Sequence, residues 1–344
     1  MTSRTLWLGC LAALIAHPAV GQDAGILIGV ADRVDPGIDA TRRAPQQLHT
    51  YWITYTAGRA RQAGRFTGLF IPRSDGFLRM TVTRTCSDSA GKDAVACSDD
   101  VWKLPLADPL PKTDPRPDPD PCRYDYVDLT FASPTLFAAR EQTGGSDKCE
   151  PRGWEWQDFD WAESYERGDR LPFGNMGLGA AAAYRAAITQ APNVGSEDRP
   201  APAQNDACRA EPADDSGWVV VRDNAAWVAH AFQQQGSALC QLEAPVAWPL
   251  PASVVGYAEP PLDWQAVTAA VPGAQEAFDS PRRDLVLITL TTAFRVYALT
   301  GGKPGTVLLD LPRPKTATQD QIVMVQWALG RSVAAWTQAF AGLR

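Results

Sequence analysis

What most restricts the fold of this 344-residue chain is a long succession of short runs rich in β-branched and aromatic residues, each broken by turn formers. Tyr51 to Thr56, Phe66 to Pro72 and Phe77 to Thr85 have this form, and Ser74-Asp75-Gly76 between the last two spells a hairpin turn. The same pattern predicts strands at Tyr124 to Phe131, Leu136 to Glu141, Gly153 to Trp161, Trp218 to Arg222 and Ala226 to Phe232. It continues at Leu285 to Thr291, Phe294 to Leu299, Thr306 to Leu311 and Ile322 to Ala328. Helical signals are fewer. Gly177 to Gln190 is Ala-rich with Asn175 available as a cap, and Asp263 is placed to cap a short helix that Pro272-Gly273 stops. Arg331 to Leu343 puts Val333, Trp336 and Phe340 on one helical face. The expected fold is α+β and β-rich, with mostly antiparallel sheets and a few short helices.

The N-terminus has a different character. Arg4 precedes an apolar run from Leu6 to Ala16, Pro18 breaks it, and Ala19-Val20-Gly21 offers small residues to a signal peptidase. Positive, apolar, small is the secretory order, and the run is too short to span a bilayer, so residues 1–21 are expected to be a signal cleaved before Gln22. The mature chain is then periplasmic or secreted. It loses Arg4 alone among charges, leaving 31 basic against 39 acidic residues, a balance that disfavours nucleic acid and anionic membranes as partners. No later run is long enough for a membrane span. Six cysteines remain: Cys86, Cys97, Cys122, Cys149, Cys208 and Cys240. An even number in an oxidising compartment implies a disulfide-stapled fold, and pairing sequence neighbours (86 with 97, 122 with 149, 208 with 240) is the simplest of many arrangements. None of these cysteines has the close spacing of a zinc site, so no metal and no cofactor is expected. The 86–97 segment looks like a disulfide-clipped hairpin tip.

Composition divides the rest. Residues 22–104 form a β-rich region, and 105–121 carry seven prolines, with Asp114, Asp118 and Asp120, as an extended linker. Residues 122–250 form an α+β module whose Pro-, Asp- and Asn-rich 191–216 segment reads as a long loop held at Cys208, and 251–344 form a strand and helix region.

No complete catalytic motif occurs: there is no G-x-S-x-G, H-E-x-x-H, P-loop or dinucleotide fingerprint. His230 alternates with small and apolar neighbours, and nothing in the sequence points to a partner that would make it a base. Trp154, Trp156 and Trp161 interleave with Asp158 and Asp160, and indoles beside carboxylates suit a sugar-binding cleft or a glycosidase. In a strand, Trp154, Trp156, Asp158 and Asp160 share one face and Phe159 and Trp161 the other, so a half-buried strand anchored by indoles fits the same residues.

Two resemblances bear on function. Phe131 to Phe137, Thr143 to Ser146, Asp158 to Trp161 with Gly168 to Leu171, then Trp218 to Phe232 and Leu242 to Leu250 follow the order of an extracytoplasmic α+β module. That module, which residues 126–250 resemble, belongs to bacterial envelope proteins of the RsiV anti-sigma-factor and PdaC deacetylase type. The resemblance implies a binding module near the cell wall that carries no catalytic residues. The His common after its Gly-Gly turn is replaced here by Asp147-Lys148-Cys149. Separately, Phe278 to Pro281 with the following strands is similar to one blade of a periplasmic β-propeller, a fold that needs several blades; a local Ser-Pro turn accounts for the motif equally well. Together these features lead to an exported, non-enzymatic module that binds an envelope protein or wall glycan. A carboxylate-dependent hydrolase of glycan or peptidoglycan and a propeller-like structural or assembly factor are the alternatives.

Overall fold

The computed structural model describes residues 23–33, 45–88, 95–106, 108, 123–145, 155–166, 168–192, 214–223, 226–234, 241–255, 262–313 and 319–343. Residues 1–21, Cys122, Cys149, Cys208, Cys240, Trp154 and nearly all of the proline-rich segment lie outside these residues, as do the side chains of Trp156 and Asp158.

The described residues form four sheets in sequence order. The first holds β1 (Ala24–Arg33), β2 (Gln47–Thr56) and β3 (Arg59–Thr67). The second holds β4 (Leu69–Arg73), β5 (Gly76–Asp88), β6 (Val95–Pro105), β7 (Arg123–Ala132), β8 (Leu136–Gly145) and β9 (Glu155–Ser164). The third is β10 (Trp218–Asp223), β11 (Ala226–Gln234) and β12 (Gln241–Pro245), and the fourth β13 (Ala274–Asp279), β14 (Leu285–Leu290), β15 (Ala293–Thr300) and β16 (Lys303–Pro312). Finally β17 (Gln319–Leu329) returns to the first sheet and pairs antiparallel with β1 along its whole length, Ala24 opposite Leu329 and Arg33 opposite Gln319. Among the described residues pairing is antiparallel, except for a short parallel contact of β6 with β7 at Cys97 and Ser98.

Each sheet packs against the next. The first meets the second through one shared core of Leu27 and Trp52 with Leu69, Phe70 and Met80. Gln46 adds a polar clasp: its amide donates to the Leu129 carbonyl at 3.3 Å and accepts from the Leu129 N–H at 2.8 Å, beside the register shift between β7 and β8. The second sheet meets the third where Phe131 sets its ring edge against Trp227, centroids 4.8 Å apart. Trp227 also touches Phe278 of the fourth sheet, where Arg222 lies over the Phe278 ring and donates to the Ala277 carbonyl at 3.0 Å. Phe294 then meets Tyr51 of the first sheet edge-on at 5.4 Å. A single core cluster accordingly draws on all four sheets: Ile26 and Tyr51, Phe131 and Ala162, Trp218 and Ala229, Phe278 and Phe294. Four consecutive antiparallel sheets, with the first completed by the last strand, form a propeller-like arrangement of four blades.

Local chemistry explains the elements. Asp263 caps α3 (Trp264–Ala270) as its position suggests, accepting from the N–H groups of Gln265 and Ala266. Two short helices, α1 (Ala180–Gln190) and α2 (Ala252–Val255), precede it. The α1 start differs from expectation: Gly179, with φ of 94°, begins it without a side-chain cap, and Asn175 sits instead in the 3-10 turn Phe173–Met176. Phe66 to Pro72 is likewise two strands rather than one. Gly68, with φ of 92°, turns the chain from the first sheet into the second, and buried Thr50 donates to the Gly68 carbonyl at 2.7 Å while accepting from the Phe70 N–H. Strand β1, unmarked by alternation, needs Gly25, because a Cβ there would meet the Trp52 indole at 2.0 Å. The final helix α4 (Arg331–Ala341) lays Trp336 and Phe340 on Trp52, Phe66, Phe70 and Phe77, the face its sequence predicts. The propeller-like motif Phe278 to Pro281 is a real inter-strand turn: buried Ser280 donates to Asp284 at 2.6 Å and accepts from the Asp284 and Leu285 N–H groups.

Of the expected disulfides, Cys86–Cys97 is present, joining residues that face each other in the β5–β6 register. The other two pairings fall outside the described residues. Closing a segment of 11 residues restricts the unfolded chain, so replacing both Cys86 and Cys97 with Ser is expected to lower stability by about 2–3 kcal/mol, measured by urea unfolding of oxidised parent and variant.

Candidate functional site

Between the second and third sheets lies a line of four charged or titratable side chains. Arg140 on β8 and Asp160 on β9 are cross-strand partners, so their side chains leave the sheet on the same face. The guanidinium grips the carboxylate with two bonds, Nε to Oδ1 at 2.7 Å and Nη2 to Oδ2 at 2.8 Å. The same Nη2 reaches Glu243 Oε1 on β12 at 3.3 Å, and that oxygen lies 3.2 Å from His230 Nδ1 on β11. Burial grades along the line: the Asp160 side chain is inaccessible, whereas those of Arg140, Glu243 and His230 are 38%, 26% and 22% exposed. The buried carboxylate anchors the arginine, and the outer three groups form a rim that solvent reaches.

The electrostatics follow the contacts. The Asp160 carboxylate, as hydrogen-bond acceptor and as neighbouring charge, together with Glu243, holds Arg140 above its ordinary range against the opposing effect of burial. His230 bonding, then Arg140, keeps the Glu243 carboxyl below its usual range despite partial burial. The ionised form of Glu243 is therefore favoured in the fold. Its contribution to stability is complete above the ordinary glutamate value and is lost as pH falls through the lowered folded value. Glu243→Gln is expected to flatten the acid limb of Tm against pH below roughly pH 4.5, followed by thermal melts through the carboxylate range.

With Nδ1 held by Glu243, His230 has Nε2 for other chemistry, and Arg140 beside it can present guanidinium N–H groups to a carbonyl or oxyanion. His230 thus has the carboxylate partner that its own strand does not announce; the only signal in the sequence is a lone glutamate within the short β12 run. His49 also finds a carboxylate, with Nε2 3.3 Å from Asp32, and burial chiefly lowers its pKa.

The aromatic-carboxylate segment is divided by the strand. Asp160 faces the third sheet, whereas Trp161 turns to the opposite face, edge-on to Phe137 at 5.3 Å with Arg170 5.8 Å from its ring centroid. Both are buried, 3% and 8% exposed, so these two members do not form a shared open cleft. Trp156 and Asp158 lie on the same strand. A second cross-strand pair repeats the Arg–Asp device: Arg84 grips Asp99 at 2.7 and 2.8 Å, and Asp99 accepts from the Val127 N–H, tying β6 to β7. Burial pushes the Asp99 carboxyl up against the opposing pull of Arg84.

Among the described residues, no three His, Cys, Asp or Glu side chains are grouped to hold a metal ion, and no helix is long and apolar enough to cross a membrane. The fold and its charged junction define a propeller-like protein of four unequal antiparallel blades. Comparison with known protein families, curated proteins and solved structures finds no match for the chain.

Proposed function

We propose that this chain is an exported, non-enzymatic binding scaffold of the bacterial envelope, which presents the rim between its second and third sheets to an envelope protein or wall glycan. The observation that carries this reading is the graded ion-pair line from buried Asp160 to accessible Arg140, Glu243 and His230, built on a ring of sheets. A rigid ring holds such a polar cluster in fixed geometry, which favours recognition because little side-chain freedom remains to be lost on binding. The secretory pattern of residues 1–21 and the Cys86–Cys97 bridge support an oxidising compartment. Residues 126–250, with their resemblance to a wall-associated module, run from β7 to β12 and contain every residue of the rim.

The test uses the mature chain isolated from periplasm. It is mixed with purified sacculi and sedimented, and in parallel a photo-crosslinking residue at position 241, two residues before Glu243 on β12, is activated in living cells. Sedimentation with sacculi, or a discrete adduct that disappears in Glu243→Gln, is the expected result. A chain that stays in the supernatant and gives no adduct overturns the reading.

A further inference from the structure

A second site lies within the second sheet, away from the rim. Strands β4, β5 and β6 and the turn after β9 border a cavity of about 430 Å³, within the range of small-molecule pockets. Its wall is apolar at Phe77, Leu78 and Pro105, and its polar groups are chiefly donors. The Tyr165 hydroxyl is buried and has no hydrogen-bond partner among the described residues. A buried O–H without an acceptor costs about 1–3 kcal/mol, so its retention calls for an explanation. Burial, the chief cause, pushes the phenol well above its ordinary range, which leaves it a proton donor at neutral pH.

Two cations lie against the aromatic pair that carries that hydroxyl. The Arg73 guanidinium sits 5.5 Å from the Tyr165 ring centroid, and Tyr165 stacks on Phe137, over whose ring the Lys103 ammonium lies at 5.2 Å. Lys103 is held by Glu163. Arg73 is positioned by the Pro134 carbonyl at 3.4 Å, and its carboxylate neighbour, Asp75, is loosely engaged: 3.9 Å away with a side chain 84% exposed. An incoming anion can replace so solvated a partner at small cost.

We propose that this cavity binds a small organic anion, its oxyanion accepting from Arg73 and the Tyr165 hydroxyl and its apolar body resting on Phe77, Leu78 and Pro105. The site does not depend on the envelope-scaffold reading, and the two can fail separately.

Titration calorimetry on the mature chain tests it with four probes: N-acetylmuramic acid, glucose 6-phosphate, inorganic phosphate and the neutral sugar N-acetylglucosamine. Saturable binding of N-acetylmuramic acid or glucose 6-phosphate, weakening with added salt, is expected, and which of them binds names the source of the oxyanion; binding of inorganic phosphate with neither sugar anion overturns the proposal. Tyr165→Phe keeps the ring stack and removes only the donor; it should fold as well as the parent and bind about tenfold more weakly. Arg73→Gln should weaken binding at least as much. Absence of saturable binding by all the anions, equal binding of the neutral sugar, or unchanged affinity in Tyr165→Phe overturns the proposal.

Discussion

Trp218→Ala is expected to destabilise the chain by roughly 3–5 kcal/mol from lost apolar burial and the cavity left behind, since large aromatic truncations in a closed core cost that much. Trp218 is fully buried at the start of β10, its ring is set against the Phe173 edge with centroids 5.0 Å apart, and its indole N–H donates to the Leu171 carbonyl at 2.6 Å. One side chain therefore fastens the crossover after β9 to the third sheet. Neighbouring contacts reinforce it, with the Phe173 and Gly174 N–H groups donating to the Asp215 carbonyl and carboxylate at 2.7 and 2.8 Å. Because the crossover leads directly into α1, the loss spreads beyond one contact. Urea unfolding should show a lower midpoint with an unchanged slope if the folded state keeps its extent. Trp218→Phe separates the components: it fills most of the volume and removes the donor, so about 1–3 kcal/mol is expected for the stranded carbonyl.

How much of this is legible in the sequence depends on how local each cause is. The Asp263 cap, the Ser74-Asp75-Gly76 turn and the apolar stripe of α4 are written within a few residues, and the sequence suffices for each. The Cys86–Cys97 bridge is nearly as local, its partners meeting across one hairpin. Sequence reading fails where a glycine does two jobs. Gly68 looks like an interruption inside one apolar run, but its positive φ sends the chain into another sheet. Gly179 starts a helix that Asn175, the better side-chain cap, does not. Pairing of β1 with β17 joins two strands from opposite ends of the chain, and nothing near either strand encodes its partner. The ring is hidden for that reason: the second, third and fourth sheets pair strands that follow one another in sequence, whereas completing the first with β17 and packing each sheet on the next join distant segments. Of the candidate site, Asp160 and Trp161 are neighbours in sequence, yet strand alternation sends one to the third sheet and the other to Phe137. Arg140, Glu243 and the partnership of His230 come from three further strands, and only the tertiary fold collects them.

The Arg140–Asp160 pair gives the second large effect. Arg140→Leu removes the bidentate cation from a carboxylate that the fold keeps 3% exposed; breaking a buried pair costs about 3–5 kcal/mol, and with the arginine 38% exposed the low end, about 3 kcal/mol, is expected. Stripped of the guanidinium, Asp160 can stay folded most cheaply by taking up a proton, so its folded pKa in the variant should rise. The sign follows: a carboxyl with a raised folded pKa destabilises most at neutral pH, and the deficit shrinks as pH falls through that value. Comparing urea midpoints of parent and variant at neutral and mildly acidic pH checks this, and a pH-independent deficit would refute it. The double variant Arg140→Leu/Asp160→Leu then asks what the pair is for. Replacing both partners with apolar groups removes two desolvation penalties along with the attraction, so the double variant should recover most of the loss. Glu243 and His230 remain in that variant without the arginine that links them to the core. If stability returns while sacculus or crosslinked-partner binding does not, the ion pair holds Arg140 at the rim for recognition, and its contribution to folding is incidental.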